Sequence, residues 1–284
     1  MAEPRRRRHW PYRVAIAVGI VAILLLIAQD QDTLRVDSPV EAADPRFADY
    51  VASLVGTVAR DGDSYTVLRN GDEAYPAMLA AINEARSRIV FETYVFSDGA
   101  AGAQFAAAFE AAAKRGVTVR VLLDAVGASL SKAMQERLEQ AGVQIKWFNP
   151  LQFWTIEESN YRTHRKVLVI DGGIAFTGGL GIDDQWLGHA QDDKHWRDTQ
   201  FRVVGPAVRT LEASFYENWI ESGGRSAPAL DPEPPPWPTG ARSVVVWSNP
   251  TAGASNVKLL YLIALAAARQ TIDIQSPYIT FDES

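Results

Sequence analysis

The chain has 284 residues, 47% hydrophobic and 22% charged, enough to bury the core of one large domain or two smaller ones and too apolar for a disordered protein. It has no cysteine, which excludes disulfide scaffolds and thiolate metal sites, and its only histidines are His9, His164, His189 and His195. The net charge of −6 hides a basic start: residues 1–13 carry +4, so the rest carries −10, which counts against nucleic acid as a partner.

Arg5 to Arg8 and Trp10-Pro11-Tyr12-Arg13 precede an apolar run from Val14 to Ala28. At 1.5 Å per residue that run covers about 22 Å of a hydrocarbon core roughly 30 Å thick. Trp10 and Tyr12 at the interface and a snorkelling Arg13 make a single transmembrane anchor feasible. The expectation is a basic N-terminus and anchor over 1–28, with the N-terminus cytoplasmic and the remainder extracytoplasmic; a cleaved signal peptide is the alternative. Residues 29–46 are a polar, proline-containing tether, and folding is expected from Phe47.

From there the chain alternates. Pro76 to Arg86 has helical periodicity, Ile89 to Phe96 is a strand, and Ser97-Asp98 can cap a helix over Ala103 to Arg115 that Gly116 stops. Val117 to Leu123 is a strand closed by Asp124, Lys132 to Ala141 a helix, and Val143 to Phe148 a strand. This succession predicts an α/β layer on a mixed, largely parallel sheet. Glu92 and Asp124 fall at strand ends, where such sheets place their sites. The aromatic stretch Trp147 to Trp154 reads as packing under a connection or as a lip for acyl chains.

Thr163-His164-Arg165-Lys166 leads into the apolar strand Val167 to Ile170, and Asp171-Gly172-Gly173 turns into a second strand at Ile174. If Thr163 onward is extended, His164 and Lys166 share one face and Arg165 takes the other, while Asp171 sits at the turn as an orienting residue. Thr177-Gly178-Gly179 offers backbone that a phosphate can approach closely. Thr199 to Val204 is a strand, Pro206 to Ile220 an amphipathic helix, and residues 226–242 a linker whose first fifteen residues hold six prolines. Residues 265–276 repeat 82–93 at an offset of 183, pairing Ala268 with Ala85, Arg269 with Arg86 and Ile272 with Ile89. Residues 47–225 therefore read as a first domain and 243–284 as the incomplete start of a second.

The pattern His164-x-Lys166-x4-Asp171 followed by Gly178-Gly179, with Asn160-Tyr161-Arg162 before it and Trp196-Arg197-Asp198-Thr199 after it, resembles the signature of the phospholipase D superfamily, nearest its bacterial cardiolipin synthase branch. The resemblance implies a phospholipase D-like α/β/α layered sandwich and a phosphodiester cleaved through a phosphohistidine, without metal or other cofactor. It makes His164 the nucleophile or its acid/base partner, Lys166 a phosphate-binding catalytic lysine and Asp171 an orienting member of the catalytic set. Thr177, Gly178, Gly179, Glu92 and Arg162 go to phosphate or substrate binding. A departure is Gly181, where the family has an asparagine donor. A second signature is needed for the second imidazole, from a homodimer or a complementing half. The expected function is transfer of a phosphatidyl group between phosphatidylglycerol molecules at a membrane; phosphodiester hydrolysis and an inactive half-enzyme are the alternatives.

Overall fold

In the computed structural model, residues 36–150, 162–225, 239–248 and 256–276, with a few positions between 12 and 19, are described. From residue 36 onward, α1 (Phe47–Leu54) is followed by β1 (Arg60–Arg69), α2 (Asn70–Glu84), β2 (Arg88–Thr93), α3 (Ala100–Lys114), β3 (Thr118–Asp124), α4 (Lys132–Gln140) and β4 (Gln144–Phe148). Then come β5 (Val167–Ile170), β6 (Ile174–Gly178), β7 (Thr199–Val204), α5 (Ala207–Glu221), β8 (Ala241–Ser243) and α6 (Asn256–Ala267). The strands form one sheet in the order β4-β3-β2-β5-β6-β7-β1-β8.

The α/β class holds, but the sheet is not largely parallel. Of the sheet's strand pairs among the described residues, β2–β3 and β3–β4 run parallel, and the β2–β5, β5–β6, β6–β7, β1–β7 and β1–β8 pairings are antiparallel. Connection length accounts for three of these pairings, β2–β3, β3–β4 and β5–β6. Helices α3 and α4 are long enough to carry the chain back for parallel pairing, whereas the turn at Asp171 to Gly173 permits only a hairpin. Asp171 and Gly172 take positive φ there, 53° and 67°.

Strand alternation assigns the two faces. Ile89, Phe91, Val119, Val121, Leu123, Leu168, Ile170 and Phe176 face α2, α3 and α4. Val90, Leu122, Val167, Val169, Ala175 and Val203 face α5 through Val208, Leu211, Phe215 and Trp219. Helices on both faces of one sheet give three layers. Strand β1 was not visible beforehand because Arg-Asp-Gly-Asp-Ser-Tyr lacks apolar alternation and most of the strand is exposed.

The start of α3 is also built differently from expectation. Its first amides, Ala100 and Ala101, donate to the Asp184 carboxylate at 3.1 and 2.8 Å, while Asp98 accepts from Ser131 and Ser97 donates to Asp183. A capping carboxylate from 84 positions away leaves no local sequence signal.

Two boundaries shift at the C-terminal end. Strand β8 pairs with β1 (Arg60↔Ser243, Asp63↔Ala241), and Arg242 bridges Asp49 and Asp61, so residues 241–243 complete the first sheet. Helix α6 falls at the offset position of α2, and Ile263 packs with Val51 of α1 and with Val55 just after it. Beyond it, Ile272 and Ile274 are 52% and 59% exposed, whereas their repeat counterparts Ile89 and Phe91 are 0% and 2% exposed. The run Val14 to Ala28 and the stretch from Leu151 to Tyr161 lie largely or wholly outside the described residues. Among those described, no helix is long and apolar enough to cross a membrane.

Candidate active site

One end of the sheet gathers the C-termini of β2, β3 and β6 with the N-termini of β5 and β7. Thr163 to Lys166 enters this end extended, and the alternation separates its side chains. Arg165 points toward α5, donating to the Ser214 carbonyl at 2.7 Å, Glu217 at 2.9 Å and the Ser248 carbonyl at 3.0 Å. His164 and Lys166 point the other way, to the mouth. The His164 ring lies 5.1 Å from the Tyr94 ring, and Lys166 Nζ sits 5.8 Å from the same ring. Lys166 Nζ also donates to the His164 carbonyl at 3.0 Å, tying the cation to the backbone that bears the imidazole.

Their electrostatics are unequal. Lys166 is buried and its ammonium pKa is pushed down to about 8, by desolvation against the pull of Asp198 and Asp124. His164 is an exposed residue, yet partial burial and the nearby Lys166 charge lower its pKa, with Asp124 opposing. The imidazole is therefore biased toward the neutral form, which has a free lone pair at neutral pH.

Behind the mouth lies a buried polar brace. Glu92 is 0% exposed and faces α5, where Oε1 accepts from Thr163 Oγ1 and from Asn218 Nδ2 at 2.6 Å. Burial raises its pKa to about 7, against the hydrogen bond from Thr163, the charge of Arg165 and the hydrogen bond from Asn218. Assigning Glu92 to substrate is thus corrected: its parity puts the carboxyl on the opposite side of the sheet from Lys166, sealed under Thr163. Asp124 braces the same residue. It accepts from Thr163 N at 3.0 Å and from Val126 N and Gly127 N at 2.8 and 3.0 Å. Arg162 stands 3.8 Å from Asp124 and donates to the Asn149 carbonyl at 3.1 Å, so it is engaged in holding this connection.

Asp171 is placed at the far end of β5, seven residues and roughly 20 Å from His164 along an extended chain. Its carboxylate accepts from the amides of Arg86, Ser87 and Arg88 at 2.8, 2.8 and 2.9 Å and from the Ser87 hydroxyl at 2.8 Å. These hydrogen bonds hold its pKa down despite partial burial. It fastens the β5–β6 turn to the start of β2 and takes no place in the mouth.

The glycine pair serves side chains rather than amides. Gly179 N is committed to the Thr199 carbonyl at 3.1 Å, and Thr177 and Gly178 are paired in β6 with Phe201 and Gln200. A Cβ on Gly179 would overlap the Asp198 carboxylate, and one on Gly178 would overlap Gln200 Oε1. Asp198 is fixed by Trp186 Nε1 at 3.2 Å and by the Asn70 side chain at its own amide, also 3.2 Å. It forms no pair with Arg197, which donates to Thr199 Oγ1 at 2.7 Å. His195 is held by Asp192 at 2.6 Å on the loop before β7, and His189 N donates to Gln191 on the same loop. The sequence pattern gives no role to Tyr94 or Asn218 and holds Thr163 and Asp198 only as flanking residues, because their relevance comes from strand ends and a helix far apart in the chain.

A mixed sheet covered by helices on both faces thus carries a histidine and a buried lysine, offset by two, at its mouth. The family described as cardiolipin synthase, PLD-like domain matches residues 78–219, and the chain belongs to it. Cardiolipin synthase 1 of Bacillus anthracis is 31% identical over 261 residues, 88% of this chain and 51% of that protein. Cardiolipin synthase of Geobacillus kaustophilus is 36% identical over 222 residues, 76% of this chain and 44% of that protein. The chain thus spans about half the length of these curated relatives. A solved phospholipase D family member, Nuc from Salmonella typhimurium, aligns with a TM-score of 0.44 at 19% identity, over 56% of this chain and 95% of that one.

Proposed function

We propose that this chain supplies one half of a phosphatidyltransferase site of the cardiolipin synthase type. The observation that supports the reading is the exposed, neutral-biased His164 held beside the buried Lys166 cation. In this mechanism the imidazole attacks the phosphorus of phosphatidylglycerol, the P–N bond forms, and the glycerol C–O–P bond breaks at phosphorus. A second imidazole, from a second signature in another copy of the chain or a complementing half, protonates the departing glycerol alkoxide. It then takes the proton from the hydroxyl of a second phosphatidylglycerol, whose oxygen displaces the imidazole to give cardiolipin. Lys166 offsets the charge on the transferring phosphoryl oxygens.

On this reading residues 47–225 with 241–243 form the first catalytic domain and α6 begins a second, while the run Val14 to Ala28 anchors the protein beside its lipid substrate. The test is incubation with labelled phosphatidylglycerol in detergent or vesicles. Cardiolipin and glycerol support the transferase, phosphatidic acid supports hydrolysis by the same covalent route, and unchanged lipid contradicts a site completed by a second copy of this chain. A His164→Ala variant that keeps the same products refutes the assignment of His164.

A further inference from the structure

The position where the family has an asparagine donor is closed in this protein. A Cβ on Gly181 would stand 2.8 Å from Val95 Cβ and 3.0 Å from the Trp186 ring, so the space for that side chain is already filled. The mouth has nevertheless kept a carboxamide. Gln200 lies on β7 directly opposite Gly178 and beside Leu68 of β1. Continuing the β5–β6 register one step past Val167↔Thr177 puts Lys166 opposite Gly178 on the other side. Lys166, Gly178 and Gln200 therefore form one row across three strands and share one face of the sheet. The two long side chains start about 10 Å apart, twice the strand spacing, with only a glycine between them.

Gln200 is 1% exposed, and its Oε1 is sealed without a hydrogen-bond partner among the described residues. It lies where a Cβ of Gly178 would be, over the glycine and toward the Lys166 row. A buried amide oxygen with no partner costs the fold stability, and a packed hydrophobic side chain of the same length would remove that cost. A half-turn of the terminal torsion exchanges this oxygen for the two-donor nitrogen. Two carboxylates, Asp198 beside the glycine pair and Asp124 in the brace behind, already act on Lys166, so a neutral donor is the group that can meet an anion without adding further negative charge.

We infer that Gln200 is a phosphate-binding residue of this site, its carboxamide supplying from β7 the neutral donor that Gly181 does not provide. The inference rests on the proposed phosphate-handling role of the Lys166 row.

The experiment compares the full chain with Gln200→Met and Gln200→Leu, using equilibrium binding of inorganic phosphate and thermal unfolding without ligand. Gln200→Met keeps the length and removes the amide. The expected result is about tenfold weaker phosphate binding, the factor that about 1.4 kcal/mol carries, with a melting temperature equal to or above that of the parent. A purely structural glutamine would move both readouts in the same direction. Gln200→Leu guards against a special effect of methionine and is expected to behave alike. Parent-like phosphate affinity in both variants, or a loss that only follows a loss of fold, overturns the inference. If the unsubstituted chain and Lys166→Ala both fail to bind phosphate, the phosphate reading falls and the inference falls with it. If the parent binds, Lys166→Ala does not and Gln200→Met still does, only the inference falls.

Discussion

Replacing Glu92 by Gln removes a titration buried in the brace behind His164 while keeping the shape of the side chain. The folded-state pKa is raised from an ordinary 4.5 to about 7, with burial as the main cause. A raised carboxyl contributes stability that is fully present below its unfolded pKa and is lost as pH rises through its folded pKa. Because Glu92 is 0% exposed, no solvent screening reduces the effect. The shift corresponds to about 3 kcal/mol at full extent, of which about 2.5 kcal/mol is lost between about pH 5 and about pH 8. Glu92→Gln should lack that slope, since its amide mimics the protonated acid and can place its nitrogen near Asn218 Oδ1, which has no hydrogen-bond partner among the described residues. Urea unfolding of both proteins across this pH range measures the difference. Two parallel stability curves would refute the reasoning, because they would mean that Glu92 does not titrate in the folded protein within the window.

Other outcomes follow from the same structure. Asp171→Ala should lower stability by about 2 kcal/mol through loss of the hydrogen bonds to Arg86, Ser87 and Arg88, with phosphate affinity of the folded protein unchanged. Unfolding together with phosphate titration checks this, and a selective loss of affinity would return Asp171 to the mouth. Phosphate affinity should also fall as pH rises through about 8, where Lys166 loses its charge. Binding isotherms across that range test it against Lys166→Arg, which stays charged and should show a weaker dependence.

Much of this arrangement was legible in the sequence because its signals are local. The alternation in Thr163-His164-Arg165-Lys166 separates Arg165 from His164 and Lys166, and the glycines after Asp171 announce the hairpin. The order of helices and strands from α2 to β4 gave the α/β class, but extending it to a largely parallel sheet failed at the hairpin strands. The roles of Glu92 and Gln200 could not be read locally. Their side chains are assigned to faces by pairing with strands β5, β6 and β1, and Asn218 reaches Glu92 from 126 positions away. The glycine pair was misread for a related reason: the groups that need its empty space, Asp198 and Gln200, lie just before and on β7, about twenty residues later.

The central claim is that His164 forms a covalent bond to phosphorus. Acid-labile, base-stable label retained on the protein after brief reaction with phosphatidylglycerol labelled in its phosphate, and mapped by mass spectrometry to His164, is the predicted result. Cardiolipin formed at full rate by the His164→Ala protein, or label carried by any other residue, would contradict it.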